Sequence, residues 1–381
     1  MSVNAAFATP ERQELRATIR TFVEREVVPR LADWERAGEL PRSLHKRAAE
    51  QGLMGIGFEE SVGGSGGDLV DGVILSEEII QAGGSSGLAA GLFTHGIALP
   101  HIVAAADPAQ IDKFVRPTLA GDFIGALGIT EPDGGSDVAR LRTTAKRDGD
   151  HFVVNGAKTY ITSGTRADFI TTAVRTGEPG FGGMSLLVIP TDTPGFTARR
   201  LEKMGWHCSD TGELSFVDVR VPVGNLVGAE NSGFIQIAQQ FQHERISLAV
   251  QAYATAQRCL DLTLAWARDR QTFGRPLITR QVVRHKLVEM RQRTELARTY
   301  TRELAVRVAA GETDIGAVCI AKNTACDAAD FVVNEAVQLH GGMGYMREAE
   351  VERHYRDSRI LSIGGGAREI MVDLAAKQWG W

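Results

Sequence analysis

Ile237, Phe241, Glu244 and Leu248 are spaced four, three and four residues apart, which places them on one face of a helix. Glu244 therefore interrupts an apolar stripe. Desolvation in such a place disfavours the carboxylate and raises its pKa, which suits a general base working near neutral pH. A glutamate at a stripe edge can instead reach solvent or pair with an arginine such as Arg245 or Arg268, and on spacing alone that ordinary role is the commoner one.

Two further stretches have the make-up of a ligand seat. In Ala126–Asp137 an apolar run breaks at Thr130 into a turn where Pro132 fixes one φ and holds Glu131 extended, while Gly134, Gly135 and Ser136 leave backbone N–H groups uncovered. Such a turn can nest an oxygen-rich ligand, although Gly-Gly-Ser turns are usually plain connections. The second stretch is Asn155–Gly164. Asn155-Gly156, between Phe152-Val153-Val154 and Tyr160-Ile161-Thr162, predicts a hairpin whose returning strand ends at Thr162 beside the first turn.

Together these stretches resemble the flavin seat of the acyl-CoA dehydrogenase family. The resemblance implies FAD, with Leu127, Ile129, Thr130, Gly135 and Ser136 at the isoalloxazine ring and pyrophosphate. Tyr160 and Ile161 lead to Thr162, which it places in a hydrogen bond near flavin N5. Arg270–Pro276, followed by Gln281, resembles the segment that reaches a neighbouring subunit's FAD, with Arg270 at the pyrophosphate and Phe273 beside it. Gln338–Tyr345, with Gly341 and Gly342, resembles the loop around the adenosine, and Ala367 and Glu369 complete the cofactor set. Read without the family, the first of these is a Gly-Pro helix break and the second a glycine C-cap.

In that family a glutamate removes the α-proton of an acyl thioester while the β-hydrogen leaves as hydride to the flavin. Most members carry the glutamate in a C-terminal Tyr-Glu-Gly-Thr loop; the matching stretch here has Gly364 for the tyrosine and Gly365 for the glutamate. A smaller branch, including isovaleryl-CoA and long-chain acyl-CoA dehydrogenases, carries its base on a bundle helix just before an arginine, and His243-Glu244-Arg245 resembles that arrangement. The resemblance therefore assigns Glu244 as base. It places Ser136, His243, Arg245 and Gly364, Gly365 and Gly366 at the substrate, with the Gly365 N–H polarising the thioester carbonyl. His95 and His101 fall where the family shapes the far end of the acyl pocket, though a surface or core role is the ordinary reading of either. Leu127, Ser163 and Ala367 depart from residues common in the family, and Ala367 removes a hydroxyl that would help hold the flavin.

Positioning these groups takes an ordinary globular chain. The 381 residues are 43% hydrophobic and 23% charged, with net charge −5, which argues against a nucleic-acid partner. Cys208, Cys259, Cys319 and Cys326 lack metal-site spacing and read as buried reduced thiols of a cytoplasmic protein, so no metal is expected. The N-terminus lacks a targeting pattern, and no run approaches the roughly 20 apolar residues of a bilayer span, so no membrane partner is expected.

Residues 1–122 read as helical, with Leu15, Ile19, Phe22 and Val23 on one face of the first helix and later helices at Leu69–Gln81, Leu88–Ala105 and Ala109–Leu119. Gly63–Gly67 lacks the Gly-Lys-Ser/Thr ending of a phosphate loop and reads as a connection. Residues 123–229 change to period two, with strands at Phe169–Val174, Met184–Ile189, Phe196–Arg200 and Leu214–Val223. Residues 230–381 are helical again, with segments at Phe234–Arg270, Gln281–Ala310, Ile315–Leu339 and beyond Gly366, enough for a four-helix bundle. The order matches the α+β acyl-CoA dehydrogenase fold: an N-terminal helical domain, a β-barrel-like middle domain and a C-terminal four-helix bundle.

The resemblance implies oxidation of an acyl-CoA to its trans-2-enoyl-CoA, with electrons passing to an electron-transfer flavoprotein. Three successive glycines leave room at the acyl α- and β-carbons, so a medium-to-long or methyl-branched chain is expected first and a short branched one such as isovaleryl-CoA second. An acyl-CoA oxidase or nitroalkane-oxidase-like activity, or a non-catalytic flavin- or CoA-binding role, are the alternatives. If Arg270 and Gln338 serve a neighbour's flavin, the protein is at least a dimer and by resemblance a homotetramer.

Overall fold

A computed structural model describes residues 3–381. The first long helix, α1 (Pro10–Phe22), starts where the Thr9 hydroxyl accepts the Arg12 N–H and Pro10 presets the first turn. Ile19, Phe22 and Val23 are buried, as its stripe requires. After α2 (Leu31–Ala37) and α3 (Arg42–Glu50), helix α4 (Leu69–Gln81) opens on a capping box between Asp68 and Asp71.

The expected helix Leu88–Ala105 is two helices, α5 (Ser86–Leu92) and α6 (His95–Ala105). They part at Phe93-Thr94, where the Thr94 hydroxyl bonds Ala90 O at 2.6 Å and Ser163 Oγ at 2.7 Å. Contrary to expectation, the 20 residues Ser86–Ala105 do have the length and hydropathy of a bilayer span, but here the stretch is broken and more than half buried against the rest of the fold.

The middle region is a seven-stranded curled sheet: β1 (Gly125–Gly128), β2 (Thr144–Asp148), β3 (His151–Thr162), β4 (Phe169–Arg175), β5 (Met184–Pro190), β6 (Phe196–Arg200) and β7 (Thr211–Pro222). Its order is β1-β4-β2-β3-β7-β6, with β5 on the other side of β4, so the barrel-like domain is an open sheet with β5 and β6 at its edges. The Asn155-Gly156 hairpin does not form. The tight turn comes earlier, where Asp148 pairs with His151 across Gly149 at φ +62°. Asn155-Gly156 is instead a bulge inside β3: the register against β7 slips between Val154 and Gly156, and Gly156 lies so close to Thr143 that a Cβ would stand 2.6 Å from its Cα. Asn155 is occupied across the strands, exchanging hydrogen bonds with Asp218. Strand β3 still ends at Thr162 beside the first turn, because Thr159 N donates to Thr130 O at 2.8 Å.

Four helices follow the expected segments: α7 (Gly233–Asp269), α8 (Gln281–Ala309), α9 (Ile315–His340) and, after a further helix α10 (Glu350–Ser358), α11 (Arg368–Gln378). Helix α10 has no counterpart in the sequence reading, its charged run Glu350–Asp357 masking a face that buries Val351, His354 and Asp357. One continuous core joins the N-terminal helices to the bundle, with Ile19, Leu44, Ile74 and Ile79 in the same apolar cluster as Ile246, Tyr253, Leu304 and Ala329. That shared core fixes α4 against α7, and the space left between them becomes part of the site.

Candidate active site

A cavity of about 1490 Å³ opens where the helical regions and the sheet meet. Its wall is supplied by α4, α6, the turn after β1, the end of β3, residues 240–251 of α7 and the loop Ile363–Ala367. Of the residues singled out from sequence, Leu127, Ile129, Thr130, Gly135, Ser136, Tyr160, Ile161, Thr162, His243, Glu244, Arg245, Gly364, Gly365, Gly366 and Ala367 all line this one space.

Glu244 lines the cavity as a half-buried side chain, and its burial raises its pKa against the opposing charges of Arg245 and Lys322. The pairing with Arg245 or Arg268 does not occur. Arg245 lies over the Phe241 ring at 5.1 Å and its Nε donates to Gly365 O at 3.1 Å. A Cβ built on Gly365 would stand 3.5 Å from Glu244 Oε1 and 2.5 Å from Leu248 Cδ1. A carboxylate reaching in from position 365 and one reaching in from Glu244 would therefore occupy the same corner, and the leucine now fills the approach from 365. Gly365 also sits at φ +64°. Gly365→Ala is expected to destabilise the fold by about 1–3 kcal/mol through strain and overpacking, which thermal or denaturant unfolding would measure.

The turn after β1 is held from behind by a buried ion pair that sequence reading missed. Lys158, fully buried, donates to Glu131 Oε1 at 2.8 Å and to Ile129 O at 3.0 Å. Glu131 also accepts the N–H groups of Arg142 at 2.6 Å and Thr143 at 2.9 Å. Burial pushes the Glu131 carboxyl up, but the Lys158 charge and these donors outweigh it and hold its pKa below the ordinary value. Burial brings Lys158 down to about 8 despite Glu131. In front of this anchor, Thr130, Ser136 and Thr162 line the cavity with hydroxyls that make no hydrogen bond to the described residues, and Tyr160 is held at φ +61° and is 71% exposed. Unengaged hydroxyls, a glycine turn and an exposed aromatic form a polar-edged slot suited to a flat, oxygen- and nitrogen-rich group such as a flavin.

Arg270, Phe273, Gln281, Gln338, Gly341, Gly342 and Glu369 lie outside this cavity. The first six gather at one end of the bundle, where Trp266 stacks on His340 at 5.1 Å, donates to Leu339 O and carries Arg270 over its ring at 5.8 Å. Phe273 there is 96% exposed, at φ +50° in the turn between Gln271-Thr272 and Arg275-Pro276. Within one chain these groups reach no part of the slot.

The wall away from Glu244 is formed by Leu69, Gly72, Val73, Ser76 and Ile79 of α4 with Ile97, Pro100, His101 and Ala104 of α6. His95 and His101 are both core histidines and cavity residues. His95 Nε2 donates to Met54 O at 2.9 Å, and burial lowers both rings to about 4, so both are neutral near pH 7.

The family model described as acyl-CoA dehydrogenase, N-terminal domain, matches residues 9–122; the middle-domain model matches 126–219 and the C-terminal-domain model 231–380. The mouse mitochondrial long-chain specific acyl-CoA dehydrogenase is 36% identical over 373 residues, covering 97% of this chain and 86% of the relative. A probable acyl-CoA dehydrogenase from Mycobacterium abscessus superposes with a TM-score of 0.97 at 64% identity, covering 98% of this chain and 100% of its own. A glutaryl-CoA dehydrogenase from Mycobacterium smegmatis in complex with FADH2 superposes with a TM-score of 0.92 at 27% identity, covering 98% and 96%.

Proposed function

We propose that this chain, which belongs to the acyl-CoA dehydrogenase family of oxidoreductases, converts a medium-to-long or methyl-branched acyl-CoA to its trans-2-enoyl-CoA with Glu244 as base and FAD as hydride acceptor. The observation that carries the reading is the 3.5 Å between Glu244 Oε1 and the place where a side chain at 365 would begin, in a chain whose residue 365 is glycine.

Glu244 takes the α-proton, and negative charge moves onto the thioester oxygen. The N–H groups of Gly365 and Gly366 donate to no acceptor among the described residues, so they are free to receive that charge. Leu127, Ile129, Thr130, Gly135, Ser136, Tyr160, Ile161, Thr162 and Ala367 would hold FAD, which supplies the acceptor for the β-hydride. Arg270, Phe273, Gln281, Gln338, Gly341 and Gly342 would meet the cofactor of a second subunit, and Glu369 would join Ala367 in the cofactor set. A homotetramer is part of this proposal, and sedimentation of an FAD-saturated monomer would refute it. An electron-transfer flavoprotein is the proposed next acceptor.

Anaerobic titration with a panel of acyl-CoAs tests the whole reading: bleaching of the flavin by one chain type supports it, and a yellow protein that no acyl-CoA bleaches refutes it. The α4 and α6 wall contains no cation, its histidines being neutral, so an acyl chain ending in a carboxylate has no counter-charge there. Glutaryl-CoA is accordingly expected to bleach the flavin at least about tenfold more slowly than an uncharged chain, at a loss of over about 1.4 kcal/mol. The pH profile follows from Glu244. Only the carboxylate is a base, and burial raises its pKa above the ordinary 4.5, so the rate of flavin reduction should fall as pH drops through that raised value.

A further inference from the structure

Lys322, on α9, is fully buried and makes no ion pair among the described residues. Its ammonium donates to Gly364 O at 2.6 Å and to Gly366 O. Arg245 holds the carbonyl between them. Three consecutive peptide oxygens are thus taken up by two cations, while the N–H groups of Gly365 and Gly366 have no acceptor among the described residues. Burial lowers the Lys322 pKa, and Glu244 is the carboxylate among the groups that act on it most strongly.

We infer that Lys322 is a positioning residue for α-proton removal, fixing the glycine loop so that its free N–H groups meet the thioester oxygen while its charge stabilises the negative charge shared by that oxygen and Glu244. The inference rests on the activity proposed above. Packing alone gives no reason for an ammonium here, because a buried unneutralised charge is unfavourable and a loop can be fastened by a neutral donor. A charge does have a reason. Before the step the negative charge is on Glu244, and afterwards it is on the enolate oxygen, so a cation beside both stays favourable throughout.

The test uses the FAD-bound enzyme and 3,3-dimethylbutanoyl-CoA in D₂O. The β-carbon of this probe carries no hydrogen, so only the α C–H bond breaks: its proton goes to Glu244, the electron pair to the enolate, and a deuteron returns. Exchange is followed by mass spectrometry. Lys322→Met and Lys322→Gln are expected to slow exchange by about 10- to 100-fold, with probe affinity kept within about threefold, and to move the acidic limb of the pH profile upward as Glu244 loses a neighbouring cation. Equal losses of affinity and exchange with an unmoved pH limb would overturn the inference. So would failure of both variants to fold, judged by circular dichroism, which would make Lys322 a stability residue. If the wild type itself neither exchanges the probe nor is bleached by any acyl-CoA, the proposed function falls, independently of what Lys322 does.

Discussion

Glu244→Gln is expected to lower the rate of flavin reduction by acyl-CoA about 10²- to 10⁴-fold while leaving FAD content and acyl-CoA affinity nearly unchanged, because the amide keeps the shape and loses only the base. The loss should be specific to this carboxylate. Asp68, Glu131, Asp133 and Glu202 also line the cavity, but the first three are ion-paired, with Arg12, Lys158 and Arg142 respectively, and Glu202 is solvent-exposed. Glu244 has no such partner among the described residues, and its proton affinity is set first by burial. The same substitution should make the protein more stable at neutral pH. A carboxyl whose folded pKa is raised contributes its full stability below the unfolded value and loses it as pH rises through the folded one. Glutamine does not titrate, so the gain in Tm of Glu244→Gln over wild type should grow through that window and then level off. Stopped-flow flavin absorbance and thermal melts at several pH values check the two halves separately; an unchanged reduction rate would remove Glu244 from the role of base.

The face that Glu244 shares was legible in the sequence because it needed only local geometry, while the role of base proposed for it came from the resemblance. The four-three-four spacing through Ile237 and Leu248 fixes which face Glu244 shares, and the bare glycines at 364–366 are visible in the chain itself. Lys322 was not legible. A lysine in an alanine-rich helix reads as a solvated charge, and only the fold carries the loop from Gly364 to Gly366 across α9 to meet it. Asn155-Gly156 misled for a related reason: the dipeptide signals φ values that glycine tolerates, and a bulge uses that tolerance as readily as a turn does. The choice between them was made by β7, which pairs with β3 on both sides of the bulge and lies about sixty residues away. For Arg270, Phe273 and Gln338 the limit is different in kind, since a single chain leaves them exposed at one end of the bundle.

The second large effect concerns the pair behind the turn after β1. Lys158→Met would leave the Glu131 carboxylate buried without its cation, and breaking one half of such a pair costs about 3–5 kcal/mol. Glu131 would still accept the N–H groups of Arg142 and Thr143, but Ile129 O would lose its donor, and the segment Ile129–Ser136 that faces the cavity would lose its fixed backing. A variant that unfolds at lower denaturant and retains less FAD after gel filtration is the expected result. The decisive comparison is the double variant Glu131→Gln with Lys158→Met. If the single change acts by stranding a charge, neutralising Glu131 should return most of the lost stability, so the coupling energy between the two sites should be at least as large as the stability returned, more than about 2 kcal/mol. FAD retention should recover less, because a neutral pair no longer clamps Ile129 O. Additive losses in the double variant would instead mean that Lys158 supports the sheet through its alkyl chain, and that the turn is held by the backbone bonds to Glu131 alone.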